Sequence, residues 1–248
     1  MAQRRHLSRA PIREAIIDLK VSPSGEISKL EQLCISLADR FPVQEEIRDT
    51  TFGFEFGPDG FKQKSVEGAV SRGRRLTSKD TRNIVQFRVD GFTFSRLPPY
   101  ETWEEMSAIA RPLWESYLEY SPAEKVTRAA VRYINLMGLP LPIGDFGEYL
   151  SSPPEVPTAL PQEIAGFFSR VVLTHREMEV VAFVTQALET SVGENAQVIL
   201  DIDVFREAKD RDWNCRDLSV WTTLEQMRNF KNLIFFESIT EKTAELFT

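Results

Sequence analysis

Histidine and cysteine are scarce in this sequence: His6, His175, Cys34 and Cys215 are the only ones among 248 residues. That excludes a disulfide scaffold, and two isolated thiols fit a reducing compartment. It also excludes a zinc site of Cys and His character, which needs four ligands at close spacing. Hydrolytic triads are left with two candidate bases. His6 lies in the N-terminal tail, expected to be mobile, and His175 in Thr174-His175-Arg176-Glu177, a hairpin tip, so neither is taken as catalytic. Long apolar runs are missing as well. Nothing approaches the roughly 18 to 20 apolar residues that span a bilayer. Asp18 and Lys20 interrupt the only apolar start near the basic N-terminus, so no secretory signal is read. A cytoplasmic protein with no membrane partner is the expectation. Neither a Walker loop nor a G-x-G-x-x-G occurs, and Gly53, Gly57 and Gly60 serve strands and turns. No cofactor is expected.

What is present is ordinary for a globular chain: 42% hydrophobic and 27% charged residues. Thirty Lys+Arg against 37 Asp+Glu give a net charge of −7, which argues against a bulk basic surface for nucleic acid. Ile17, Leu19 and Val21 alternate with Asp18 and Lys20, a strand pattern, and Ser22-Pro23-Ser24-Gly25 reads as a turn. Leu30, Leu33, Cys34, Leu37 and Phe41 recur at helical spacing, with Pro42 closing that helix. Phe52, Phe54 and Phe56 alternate, Gly57-Pro58-Asp59-Gly60 turns, and Phe61 starts the return. Glu67 to Asp80 reads as a polar, basic loop. Val85, Phe87 and Val89 lead through Asp90-Gly91, a hairpin signal, into Phe92 and Phe94.

The clearest element follows. Trp103, Met106, Ala110, Leu113, Tyr117 and Tyr120 mark a long amphipathic helix from about Glu101, with a kink expected at Pro112. After Ser121-Pro122 the pattern restarts. Val126 to Leu136 reads as a strand, and 138–163 as a Pro- and Gly-rich connector that holds at most a short helix near Asp145 to Leu150. Strands fit Phe167 to Thr174, Met178 to Leu188 and Gln197 to Phe205, with a turn at Ser191 to Asn195. A polar loop, 207–216, leads to a second long helix, Leu218 to about Phe230. Ser238-Ile239-Thr240-Glu241 is a capping-box pattern for a short final helix. The expected class is therefore α+β: two similar halves, 1–121 and 122–248, each an antiparallel sheet with a long amphipathic helix. Two sheets, or one continuous pseudo-symmetric sheet of the TATA-binding-protein-like saddle kind, both fit this order, and fold alone carries no function.

Three groups of residues are candidates for chemistry. Asp201 and Asp203 share one strand face by the period of two, with Leu200, Ile202 and Val204 on the other. Paired strand carboxylates can hold a divalent metal, but no phosphate loop or third carboxylate accompanies them, and a solvent-facing strand is the preferred reading. Arg72, Arg74, Arg75, Lys79 and Arg82 form a basic stretch suited to phosphates, or to pairing with acidic groups elsewhere, the reading favoured on a chain of net charge −7. Arg132, with Arg96 and Tyr100, is a candidate polar pocket under the long helix. The favoured alternative is a structural ion pair joining the halves, with Glu14 as one partner.

Four stretches resemble a sporadically distributed prokaryotic family of uncharacterised proteins of about this length. They are Arg9-Ala10-Pro11-Ile12-Arg13-Glu14-Ala15-Ile16; Ser95-Arg96-Leu97-Pro98-Pro99-Tyr100 with Trp103; Arg132-Tyr133-Ile134-Asn135; and Asn232-Leu233-Ile234-Phe235-Phe236 with Ile239-Thr240. The resemblance spans nearly the whole chain. It implies no activity, cofactor or catalytic residue, and only an accessory role of the defence or toxin–antitoxin kind. The leading expectation is a non-enzymatic interaction protein with a protein partner. The alternatives are a nucleic-acid-binding module using residues 72–82, and a metal-dependent enzyme built on Asp201 and Asp203.

Overall fold

Alternation at period two builds most of this molecule, because a strand with one buried face needs an apolar residue at every second position. The computed structural model describes residues 1–22, 26–48, 52–57, 60–65, 70–189, 192–208 and 213–248, with backbone alone for 52–57 and 60–65. The elements are, in chain order, β1 (Ile12–Val21), α1 (Ile27–Ser36), β2 (Val43–Arg48), β3 (Phe52–Gly57), β4 (Gly60–Ser65), β5 (Ser71–Thr77), β6 (Asn83–Arg88), β7 (Gly91–Arg96) and α2 (Trp103–Tyr120). There follow β8 (Lys125–Pro140), β9 (Phe168–His175), β10 (Val180–Leu188), β11 (Asn195–Glu207), β12 (Trp213–Asn214), α3 (Ser219–Ser238) and α4 (Glu241–Glu245).

Nine strands form one continuous sheet in the order β2-β5-β6-β7-β1-β8-β11-β10-β9, with every neighbouring pair antiparallel. The short β12 adds to β8, and β3 and β4 pair separately as a hairpin. The chain is thus α+β, as the element order implies. β1 lies at the centre: Ile17 stands opposite Phe94 of β7 on one side and Val131 of β8 on the other.

The helices cover one face. α3 packs on β8 and β11, α1 on β5 and α2, and α2 on β7. Ala15, Ile17 and Leu19 of β1, Val131 and Tyr133 of β8, and Val198, Leu200 and Ile202 of β11 are buried beneath them. Under α2, Phe87, Phe92, Trp114 and Tyr117 pack with ring centroids 5.4 to 6.4 Å apart. Trp114 donates to the Cys215 carbonyl at 3.2 Å and Tyr117 to the Arg88 carbonyl at 2.9 Å, so both polar tips are satisfied. The opposite sheet face is charged and uncovered among the described residues: Glu14, Asp18 and Lys20 alternate there with the core positions of β1.

Several elements differ from the sequence expectation. Glu67 to Asp80 is not a loop over its length: Ser71–Thr77 is strand β5 between β2 and β6, and β2 itself is an added strand. The first helix stops at Ser36, and Phe41 is buried from the turn beyond it. α3 continues to Ser238 instead of ending near Phe230, because Ile234, Phe235 and Phe236 extend its buried stripe. The cap of α4 is Thr240, whose hydroxyl accepts from the Thr243 N–H; Ser238 ends α3 and donates to the Ile234 carbonyl. The N-terminus is docked, not free: Ala2 and Leu7 are buried, and the Ala2 N–H donates to the Phe236 and Ile239 carbonyls. Residues 23–25 of the first predicted turn, Pro58 and Asp59, Glu67 and Ser191 lie outside the described residues. No helix among the described residues is long and apolar enough to cross a membrane.

Candidate functional site

The period of two does set Asp201 and Asp203 on one face of β11, and the register brings β8 arginines beside them. Arg132 grips Asp201 with two hydrogen bonds, Nε to Oδ1 at 2.8 Å and Nη2 to Oδ2 at 2.6 Å. This bidentate geometry raises the Arg132 pKa further. Arg128 reaches Asp203 at 3.3 Å and, on its other side, Asp18 of β1 at 3.1 Å, while Arg88 of β6 meets Asp18 at 3.0 Å. Burial raises the Asp203 pKa, with Arg128 and Arg132 opposing it. The carboxylates are thus taken up by guanidinium groups, and no metal-ligating cluster is found among the described residues. Ion pairs join the first half to the second: Arg128 with Asp18 within the sheet, and Arg5 of the N-terminal arm with Glu241. Arg132 finds Asp201, not Glu14.

The basic stretch is likewise engaged. Arg74 pairs with Glu31 of α1 at 2.5 Å, Arg75 with Glu45 of β2 at 2.6 Å, and Arg72 with Asp90 at 3.4 Å. Arg82 lies 4.0 Å from Glu101, and Lys79 is exposed in the turn after β5. Placement on a strand sets Arg74 and Arg75 on opposite faces, while Lys79 and Arg82 lie in the turn beyond it, so the five do not form one patch.

Arg96, Tyr100 and Arg132 do not share a pocket. Arg132 stands on the uncovered face. Arg96 is 9% exposed and donates to Asn83 at 3.0 Å and to Glu101 at 2.8 Å. Tyr100 lies on the helix side, its hydroxyl 2.9 Å from that of Tyr133. Burial raises both phenols, so each keeps its proton near neutral pH.

Tyr100 opens instead onto a cavity of about 360 Å³ between the docked N-terminal arm, the start of α2, β8 and α3. Its wall takes Pro11 from just before β1, Tyr100 and Trp103, Asn135 from β8, and Phe235 from α3. These residues come from four stretches far apart in the chain, and the fold gathers them around one space. His6, expected in a mobile tail, lines it too.

Lys231 of α3 is also in this wall, only 6% exposed. Its Nζ lies 3.6 Å from the Tyr133 ring centroid, a cation–π contact. No carboxylate among the described residues pairs with it. Burial, then the nearby Arg228 and Arg4, lower its pKa to about 7. The sequence signal was there: Lys231 follows Leu224 and Met227 and precedes Ile234 on the apolar stripe of α3. Ending that helix near Phe230 hid it. A larger, open hollow of about 990 Å³ lies under the 141–165 connector, with Asp145, Glu163 and Glu189 as exposed carboxylates on its rim.

The two thiols are inert structural groups: Cys34 and Cys215 are buried, and burial pushes each up to about 11. His175 ends β9, its Nδ1 accepting from the Met178 N–H at 3.3 Å and its ring set edge-on to Phe230.

The two outer strands of the sheet differ in kind. β2 exposes Glu45, Glu46 and Arg48, with Val43 its one exposed large apolar residue. β9 exposes Phe168 (69%), Val171 (52%), Val172 (57%) and Leu173 (38%) over both of its faces. A shallow apolar groove runs from Val171 and Leu173 to Phe230 and Leu233 of α3. No protein-family model matches the chain, and no curated protein matches it.

Proposed function

We propose that this protein is an interaction module, and that its edge strand β9 docks a second copy of the chain. The observation that carries this is the contrast between the two sheet edges. Soluble proteins blunt an unpaired edge with charge, because bare N–H and C=O groups beside apolar side chains recruit another strand. β2 is blunted in this way; β9, with four exposed large apolar residues, is not. Antiparallel addition of β9 to β9 about a two-fold axis at Val172 sets Val171 beside Leu173 of the second copy. Arg170 then meets Thr174, so no two like charges face each other. The order of strands from the centre outwards, β1-β7-β6-β5-β2 and β8-β11-β10-β9, supports reading the chain as two related halves of one saddle-like sheet, with β2 an extra strand on the first. The setting proposed with it is an accessory or defence-type prokaryotic locus, in which a recurring neighbouring gene would encode a further partner.

Light scattering on a size-exclusion column tests the docking. The parent is expected at twice the chain mass, and Val172→Lys, a substitution at an exposed position, at one chain mass with unchanged circular dichroism. A parent that stays monomeric at all concentrations, or a lysine variant that dimerises as before, sinks the proposal.

A further inference from the structure

Burying an ammonium group costs several kcal/mol unless a counter-charge meets it. Elsewhere in this protein that rule is obeyed: Arg88, Arg96 and Arg128, all largely buried, each have a carboxylate. Lys231 breaks it. The charged groups that act on it are cationic, Arg228 on its own helix and Arg4 on the N-terminal arm; Tyr133 lies against it on the sheet side, and Arg5, His6 and Tyr100 line the same cavity. The acidic groups at the cavity are Glu101 and Glu104 at the start of α2. Glu101 is held by Arg96 at 2.8 Å, Glu104 is exposed, and neither pairs with Lys231. Arg5, for its part, is paired with Glu241.

The polar groups also leave capacity unused. Two phenol hydroxyls 2.9 Å apart share one hydrogen bond and hold two protons between them, so one O–H remains to donate. The Asn135 amide N–H group donates to the Leu200 carbonyl at 2.8 Å and to the Tyr133 carbonyl at 3.3 Å, fixing that side chain at the cavity wall. Trp103, Phe235 and Phe236 supply buried apolar surface around these groups. A cavity of about 360 Å³ with apolar walls and a few convergent polar groups has the build of a small-molecule site.

We propose that this cavity binds a small organic anion, a carboxylate or phosphate on an apolar body, whose charge is the missing counter-ion of Lys231 and is held jointly by Arg228 and the remaining O–H of the Tyr100–Tyr133 pair. Two oxygens of such a group match two separate cationic donors, and the apolar body lies against Trp103 and Phe235. Neutral isosteres lack what the site is short of. Binding also draws a proton onto Lys231 wherever the empty site has released it, because the anion favours the charged amine.

Calorimetry of the full chain with benzoate, phenyl phosphate and inorganic phosphate, against benzamide and benzyl alcohol, tests this. One organic anion is expected to bind with a stoichiometry of one. Its neutral isostere is expected to bind at least about tenfold more weakly, as for a lost charge-assisted hydrogen bond. Benzoate against phenyl phosphate separates the two anion sources, and inorganic phosphate shows whether the apolar body contributes. Lys231→Met should abolish the preference for the anion, and Arg228→Gln, at a half-buried surface position, should weaken it with the core untouched. Repeating the titration near pH 8 in buffers of different ionisation enthalpy should show proton uptake that Lys231→Met loses. Absence of anion binding, equal binding of the neutral compounds, or an unchanged preference in both variants would overturn the proposal. Borohydride trapping of an aldehyde on Lys231 in a protein that binds no anion would assign the site to carbonyl chemistry instead.

Discussion

At the scale of single residues, Lys231 carries the sharpest consequence for stability. The unfolded chain holds this proton up to the ordinary 10.5, whereas the folded chain releases it near 7. Between those values the unfolded state binds more protons, so stability rises with pH across that window. Below it both states are protonated, and the full burial penalty is present. Lys231→Met removes the penalty. In urea titrations near pH 6 the variant is expected to be more stable than the parent by on the order of 3 kcal/mol, with the gain shrinking towards pH 10. A parent whose stability is flat from pH 7 to 10 would contradict this, and so would a methionine variant that is less stable at pH 6. The candidates read from the sequence behave differently. Asp201, Asp203, Arg74 and Arg75 each have a partner across a strand or from a helix, and those partners lie tens of residues away in the chain.

At the scale of elements, β5 is instructive because its sequence, Ser71-Arg72-Gly73-Arg74-Arg75-Leu76-Thr77, has no apolar alternation. It forms a strand because its neighbours accept it on both sides, and because Gly73 permits close approach. A Cβ there would stand 2.1 Å from the Phe87 carbonyl oxygen and 2.8 Å from Arg88 Cα, both backbone atoms that cannot step aside. Gly73→Ala is therefore expected to cost about 2 to 4 kcal/mol, in the class of backbone-strain substitutions. Hydrogen exchange should locate the loss at β5 and β2, leaving β8 to β11 protected. Unaltered protection of β5 in the alanine variant would show that the approach is looser than described. α2 stands at the opposite extreme. Its apolar spacing was legible locally, and the structure adds the Thr102 cap, accepting from the Glu105 N–H, with Glu104 and Glu105 in the first turn.

At the scale of the whole molecule, the boundary expected at Ser121-Pro122 runs through a single sheet. β1 belongs to the first half and β8 to the second, yet they pair from Ile12 with Asn135 to Val21 with Val126. Arg128 ties Asp18 to Asp203 across the same seam. One cooperative calorimetric transition is expected, with Val172→Lys unfolding the same way. Residues 1–121 and 122–248 expressed apart should each be poorly folded, because each exposes a long, apolar central strand. Together they should reassemble into a soluble complex. Two separate transitions, or two independently folded fragments, would refute this account.

The sequence by itself determined what short-range physics can determine. Period-two alternation located β1, β3, β6 and β7, helical spacing located α2, and the small number of histidines and cysteines left no disulfide scaffold to build. The face shared by Asp201 and Asp203 was also legible, because side-chain alternation within one strand needs no partner. Only the tertiary structure decided who meets whom. Strand order placed β1 between β7 and β8, gave Arg132 to Asp201, turned a basic stretch into β5, and folded the N-terminal arm over α3. The cavity at Lys231 is assembled from residues 5 to 12, 100 to 104, 135 and 228 to 236. Such a site depends on distances across the fold, which local propensities do not encode. The long-range pairings that create it are fixed by where apolar faces can be buried together.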